Sequence, residues 1–179
     1  MADDTAAPAG LPRAVTAYVR AVDRVSRWVG LVAMYMIFAM IAILLWSSIT
    51  KAFFVPALWT LEMAQFAMVA YYLLGGAHSM QINAHVRMDL FYSHWSDRTR
   101  ALVDAFTILF LLFYLAMLLY GGISSTAYAL EYDERSYSSW APFMAPVKIV
   151  MVAGIVLMLL QAVATFFKDI ARVRGAPLT

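Results

Sequence analysis

Residues 62–90 read EMAQFAMVAYYLLGGAHSMQINAHVRMDL, and they join a carboxylate to a polar cluster through a long uncharged segment. The carboxylate is Glu62, and the cluster contains His85, Arg87 and Asp89. A mostly apolar segment of about 20 residues is long enough to cross the hydrocarbon core of a membrane as a helix. The stretch therefore predicts a transmembrane helix over residues 57–80 that begins near an acid and leads into a polar connection.

Small residues are concentrated towards the end of this predicted helix. Gly75 and Gly76 are adjacent, and Gly75 and Ser79 have the small-xxx-small spacing that lets the backbones of two membrane helices approach closely. Gly121 and Gly122 form a second patch of the same kind further along the chain. We assign both patches to close helix packing and subunit assembly.

The composition of the whole chain agrees with a membrane location. Of its 179 residues 64% are apolar and 13% are charged, and the mean hydropathy is +0.75. Such values are too hydrophobic for a soluble domain of this length. The absence of cysteine excludes thiol–disulfide chemistry and cysteine-ligated zinc or iron–sulfur sites. We predict an all-α integral membrane protein with no cofactor of its own and no nucleic-acid partner.

Four segments have the length and apolar character of transmembrane helices. They are residues 28–50, 57–80, 105–130 and 149–167, and together they form a predicted transmembrane domain over residues 28–168. The first, third and fourth contain no charged residue. The connection between the third and fourth contains Trp140, Pro142 and Pro146, which favour an ordered turn at the membrane surface.

The two ends of the chain are polar or basic. Residues 1–12 predict a disordered tail and residues 169–179 a cytoplasmic tail. Residues 13–27 predict an amphipathic helix on the cytoplasmic membrane surface, with lipids on its apolar face. The alternative is a plain basic flank without a surface helix. Both interpretations rest on arginines at spacings of seven, four and three: Arg13, Arg20, Arg24 and Arg27.

The distribution of basic residues predicts the orientation of the chain in the membrane. The N-terminal flank, the link between the second and third helices and the C-terminal flank carry ten lysines and arginines. The remaining three are Lys51, Arg135 and Lys148, in the other two links. Because short cytoplasmic loops are enriched in basic residues, both termini are expected in the cytoplasm.

Glu62 is the only charged side chain within the four predicted helices. An ionisable group at such a depth is a functional candidate by default. Three interpretations remain open: stabilisation by the positive N-terminal end of its helix, a contact in subunit assembly, and coupling to a proton or substrate. The sequence does not choose between them.

Three histidines are candidate ligands for a metal or a haem: His78, His85 and His94. A haem inside a membrane needs two histidines at matching depth, commonly from different helices, and no other predicted helix contains one. For His85 a structural or interface role with hydrogen bonds is the favoured interpretation. No metal site is predicted.

The order of these features resembles a known family. An acid near a helix start, a small-residue patch about 13 positions later and a His-x-Arg-x-Asp-Leu exit resemble the DctQ-like small membrane subunit of tripartite ATP-independent periplasmic (TRAP) transporters. The resemblance extends over roughly residues 25–170. The form Ser-Trp-x-Pro-x-x-x-Pro-x-Lys, residues 139–148, is similar to the branch associated with 2-oxo acids, mannitol or chloroaromatic compounds.

The resemblance implies a specific role and specific partners. It implies a subunit of the bacterial inner membrane that braces a large, elevator-type membrane subunit, the M-type partner, during uptake of an organic acid. A periplasmic solute-binding protein, the P-type partner, would deliver the substrate, and the sodium ions would bind the large subunit. Glu62, His85, Arg87, Asp89 and the two glycine patches would then serve assembly.

Two other classes compete with this role, and enzymatic activity is not expected because no catalytic constellation is visible. One is a four-helix membrane anchor of a redox enzyme, which the restriction of His78 to a single helix disfavours. The other is a small proton-coupled exporter that uses Glu62. An independent transporter would be expected to have polar groups or broken helices in several spans.

Overall fold

A computed structural model describes residues 13–82 and 97–173 of the chain. These two ranges contain four helices: α1 (Arg13–Phe53), α2 (Trp59–Gln81), α3 (Asp97–Glu131) and α4 (Ala145–Val173). Within the same ranges the β-structure is limited to one bridge between Arg135 and Phe143. The all-helical prediction is therefore confirmed for the described residues.

Three of these helices are long and apolar enough to cross a membrane. They are α1, α3 from Phe106 onward, and α4 up to Ala171, with mean hydropathies of 2.5, 2.2 and 2.5. The shorter α2 is not one of them, because Glu62, Gln65 and His78 interrupt its apolar run. A fourth span over residues 57–80 thus stays a prediction, as does the cytoplasmic location of both termini.

Helix α1 continues through the boundary predicted between a surface helix at 13–27 and a transmembrane helix at 28–50. It is one helix of 41 residues, which corresponds to about 60 Å. Its first half packs against the end of α4, where Val19 and Val22 form a buried cluster with Ala164. Part of the apolar face attributed to a membrane surface thus packs on another helix, while Val25 is 48% exposed. A surface helix over residues 13–27 stays a prediction.

The link between α1 and α2 is short and is fixed by a buried threonine. The Thr60 hydroxyl lies 2.9 Å from the Ser47 hydroxyl and 2.9 Å from the Ala57 carbonyl oxygen. Thr60 is fully buried. This contact holds the start of α2 against the end of α1.

The helices form an asymmetric slab. Helices α1, α2 and α4 all contact one another, whereas α3 packs extensively on α4 alone among the described elements. The packing is closest where glycine replaces a side chain, as at Gly154 of α4, which lies against the backbone of Leu73 in α2. One broad face of α3 consequently has no neighbouring helix in the described residues.

The connection between α3 and α4 is an ordered turn, as its composition predicts. Met144 N–H donates to the Glu134 carbonyl and Ser136 N–H donates to the Pro142 carbonyl, at 2.9 and 3.0 Å. The Arg135 guanidinium lies 4.0 Å from the centre of the Phe143 ring, a cation–π contact. Lys148 at the start of α4 forms an ion pair with Glu134.

Candidate functional site

Glu62 lies in the first turn of α2, as the sequence predicts. Its side chain is partly buried, and the Oε2 atom is buried without a hydrogen-bond partner in the described part of the chain. A buried oxygen left without a partner costs free energy unless another group reaches it. The positive N-terminal end of the helix stabilises the Glu62 carboxylate, but Oε2 still lacks a hydrogen-bond donor among the described residues.

The first glycine patch, Gly75 and Gly76, contacts other helices of the same chain. A Cβ at Gly76 would lie 2.9 Å from the sulfur of Met158 in α4, and a Cβ at Gly75 would lie 3.9 Å from the Ala33 Cβ in α1. Gly75 and Gly76 therefore contact α1 and α4 of the same molecule, and the tight contact is the one at Gly76. A role of this patch in subunit assembly stays a prediction.

The two glycines of the second patch have different surroundings. Gly122 is buried against α4, where a Cβ added to it would have atoms of Val152 and Ile155 within 3.6 Å. Gly121 is exposed, and a Cβ added to it would have no atom within 4 Å among the described residues. Only Gly122 belongs to the helix packing of this chain, and Gly121 lies on the open face of α3.

His78 is the histidine that the structure describes. Its ring occupies the space left by Gly30 of α1, where an added Cβ would clash with the ring. His78 Nδ1 is 3.3 Å from Gln81 Oε1. The ring therefore has a packing partner and a hydrogen-bonding partner. His85, Arg87, Asp89 and His94 lie outside the described residues.

A polar network that was not predicted from the sequence joins α1 to α4. The Ser26 hydroxyl donates to Gln161 Oε1 at 2.8 Å, and Gln161 Nε2 donates to Asp23 Oδ1 at 3.0 Å. Lys168 Nζ reaches both carboxylate oxygens of Asp23 at 2.9 and 2.7 Å. We call these four residues the α1–α4 bridge. Its sequence signals were the single amide in the fourth predicted helix and one acid among four arginines.

Large apolar side chains are exposed on the outer faces of the slab. Phe113 and Tyr120 of α3, seven residues apart on one face of the helix, are 68% and 76% exposed. In the most apolar 18-residue stretches of α1, α3 and α4, only 11%, 17% and 28% of the residues are buried within the chain. Surfaces of this kind require lipid tails or other transmembrane helices as neighbours.

An open apolar groove lies beside the ordered turn between α3 and α4. Its volume is about 710 Å³, and Met36, Met63, Phe66, Trp140 and Phe143 are among its lining residues. Arg135 is the one charged side chain that borders it among the residues described. The groove offers apolar contact area and a single cation, with no catalytic group.

The described residues hold no cluster suited to a metal ion. In residues 13–82 and 97–173 there is no group of three histidine, aspartate or glutamate side chains that could hold a metal. The sites found in these residues are therefore helix contacts, polar bridges and apolar surfaces. Such features fit assembly with other membrane components.

Comparison with known families identifies a transporter component. The family model described as "Tripartite ATP-independent periplasmic transporters, DctQ component" matches residues 40–172. The matched region includes all of α2 and α3 and nearly all of α4. No curated protein matches the chain.

Proposed function

The chain belongs to the DctQ family of tripartite ATP-independent periplasmic transporters, and we propose that it braces the large membrane subunit of such a transporter. The large subunit would carry out sodium-coupled, elevator-type movement, and a periplasmic solute-binding protein would deliver an organic acid. The match over residues 40–172 is the observation that carries this proposal. The proposed location is the bacterial inner membrane, with four spans.

The family assignment favours this function over its two rivals. The DctQ family is a transporter component and not an enzyme family, which is consistent with a chain without enzymatic activity. It gives no support to a membrane anchor of a redox enzyme or to a proton-coupled exporter. Sodium ions and substrate are therefore proposed to bind the partners.

The packing of the slab supports a bracing role. Helices that must resist movement benefit from close backbone contacts and from polar links at several depths. Here Gly154 lies against Leu73, Thr60 links to Ser47, and the α1–α4 bridge ties α1 to α4. These contacts join α1, α2 and α4 into one unit, so that a partner fixed to this unit would gain a rigid wall.

The open surfaces support the presence of a membrane partner. Helix α3 packs on α4 and leaves its aromatic face, with Phe113 and Tyr120, uncovered by the described residues. Elsewhere on the slab, Glu62 Oε2 has no partner within the same part of the chain. We propose that the large subunit covers part of the apolar surface and supplies a donor to Glu62.

Reconstitution tests the function directly. Liposomes would contain this chain alone, the large subunit alone, or both, with and without the periplasmic binding protein, under an inward sodium gradient. Uptake of a radiolabelled 2-oxo acid, mannitol and chlorobenzoate would be measured, because the turn at residues 139–148 is similar to the branch associated with these compounds.

We expect uptake only when all three components are present. The four predicted helices contain one charged side chain, Glu62, in the first turn of its helix, and none at mid-helix. A charge at mid-helix costs about 2.5–3.5 kcal/mol on insertion scales and is kept there for a function. A chain with so few intramembrane charges has little means of moving an ion and a carboxylate by itself. Sodium-dependent accumulation in liposomes that hold this chain alone would overturn the bracing role.

A further inference from the structure

A row of arginines on α1 is exposed and has no partner among the described residues. Arg20, Arg24 and Arg27 follow one another at spacings of four and three, which places them on one face of the helix. All three are exposed, and none forms an ion pair or hydrogen bond that involves residues 13–82 or 97–173. We call these residues the arginine stripe. Three exposed cations along one face provide a site for an anion.

The arginine stripe leads into an apolar groove between α1 and α2. Leu31 and Met34 follow Arg27 by four and seven residues, so they continue the same face, and both line the groove. Trp28 and Val32, one position further around the helix, do not line it. The groove therefore opens on the side of α1 that carries the arginines.

The groove has the size and lining of a site for an acyl chain. Its volume is about 660 Å³, and α2 contributes Tyr71, Tyr72, Gly75 and Ser79 to its wall. This volume falls in the usual range of small-molecule sites, about 300–1,000 Å³. Because Gly75 and Ser79 have little or no side chain, an acyl chain has room beside the backbone of α2.

The groove and the arginine stripe together extend over about one leaflet of a bilayer. Along α1 the groove is lined from Gly30 to Ile37, and Arg27 lies ten residues before Ile37. Ten helical residues rise about 15 Å, which is half of the roughly 30 Å hydrocarbon core. A lipid whose headgroup contacts the arginine stripe can therefore extend one acyl chain along the whole groove.

We propose that α1 and α2 bind one anionic phospholipid, with its phosphate on Arg24 and Arg27 and one acyl chain in the groove. Guanidinium groups form paired hydrogen bonds with phosphate oxygens, and basic pockets between membrane helices bind acidic headgroups. A zwitterionic lipid would fill the groove equally well but would add a cation beside the arginines. Charge thus selects the anionic lipid, and the groove selects a lipid over a soluble phosphate.

Native mass spectrometry of the purified full chain in detergent would test this site. Dioleoylphosphatidylglycerol and dioleoylphosphatidylcholine would be titrated separately, and bound lipids would be counted per chain. We expect one phosphatidylglycerol to remain bound at activation energies that remove phosphatidylcholine. Equal retention of the two lipids, or a broad distribution without a single preferred adduct, would overturn the proposal.

Charge variants identify the headgroup contact. The double variant Arg24→Gln/Arg27→Gln should lower phosphatidylglycerol affinity about 30-fold, the factor expected for two basic groups near an acidic membrane surface. The double variant Arg24→Lys/Arg27→Lys keeps both charges but loses the paired hydrogen bonds, so its affinity should fall less than that of the double glutamine variant. Lys51→Gln removes a positive charge at the other end of α1 and should change nothing. Unchanged affinity in the double glutamine variant would contradict the site.

Filling the groove tests the acyl-chain contact separately. Ser79→Phe should weaken phosphatidylglycerol binding, while Val32→Phe, on the exposed face outside the groove, should not. Glycerol phosphate, which has the charge and lacks the chains, should not compete at millimolar concentration. Effective competition by glycerol phosphate, or full affinity in Ser79→Phe, would show that the groove plays no part and would overturn this assignment.

Discussion

Two polar side chains within the helix packing, Glu62 and Gln161, differ in how their hydrogen-bonding atoms are satisfied. Gln161 is fully buried and uses both ends of its amide, with Ser26 on one side and Asp23 on the other. Glu62 keeps one buried oxygen without a partner in the described residues. The first arrangement is complete within these residues, whereas the second lacks a donor for Glu62 Oε2.

Glu62→Gln is expected to weaken assembly while leaving the assembled transporter active. The amide keeps the shape of the side chain and removes its charge, so a cationic donor from the large subunit would lose its counterion. Recovery of the large subunit with the tagged chain should fall, and uptake per assembled complex should stay unchanged.

Glu131→Gln, an exposed carboxylate at the end of α3, is the matched control and should assemble normally. If Glu62→Gln instead assembled fully but lost transport, or shifted its pH dependence, Glu62 would belong to ion coupling.

Gln161→Leu is expected to destabilise the chain by about 1–3 kcal/mol. The leucine leaves the Ser26 hydroxyl without its buried acceptor and removes one donor from Asp23, and unsatisfied buried groups carry a penalty of this size. Thermal or denaturant unfolding of the purified chain would measure the change. Gln65→Leu makes the same replacement at an exposed position of α2 and should be close to neutral. Equal stability of the two variants would contradict a structural role for the α1–α4 bridge.

At the scale of helices, glycine positions separate internal packing from open surface. Gly154 lies where an added Cβ would be 2.8 Å from the Leu73 Cβ and 3.0 Å from its carbonyl carbon. Because the nearest atoms include backbone, the neighbour cannot rotate away. Gly121, on the open face of α3, meets nothing within 4 Å in the described part of the chain. The same residue type therefore has opposite tolerance in two helices.

Gly154→Ala should destabilise the chain by about 1–3 kcal/mol, the usual cost of overpacking. Gly121→Ala should be neutral or slightly stabilising for the chain alone, because alanine favours helix by up to about 1 kcal/mol. Unfolding of both variants in the same detergent would compare them.

Gly121→Ala also tests the predicted assembly role of the second glycine patch. A stable variant that no longer recovers the large subunit would assign the open face of α3 to the interface. Normal recovery would remove Gly121 from the interface.

For the whole molecule, the arrangement of helices bears on the number of membrane spans. Three helices satisfy the length and hydropathy expected of spans, and α2 runs antiparallel against α1 for most of its length, with His78 at Gly30 and Gly75 at Ala33. Its 23 residues extend about 34 Å, enough to cross the hydrocarbon core beside α1. We therefore expect α2 to span the membrane despite its lower hydropathy.

Topology reporters would test the four-span arrangement. Fusions after residue 179 and within residues 84–100 should report the cytoplasm, and fusions near Lys51 and Asp133 should report the periplasm. The ten-to-three distribution of basic residues gives this orientation. A periplasmic signal from the C-terminal fusion would require an odd number of spans if the N-terminus is cytoplasmic, and would exclude α2 or another helix from the membrane.

The amino-acid sequence by itself determined the helical class, the membrane character, the approximate helix positions and the family. These properties depend on the local run of apolar residues and on short motifs, so they can be obtained without knowledge of the helix contacts. The ordered turn before α4 was also predictable, because Trp140, Pro142 and Pro146 favour it locally.

Only the tertiary structure decided which faces of the helices meet. Ser26 and Gln161 are 135 positions apart, and no local pattern indicates that they share a hydrogen bond. The adjacent Gly121 and Gly122 look alike in sequence, yet only one contacts α4, because neighbouring residues on a helix point in directions about 100° apart. Helix α4 likewise covers part of the apolar face that the sequence assigned to the membrane surface, a contact between residues more than 130 positions apart.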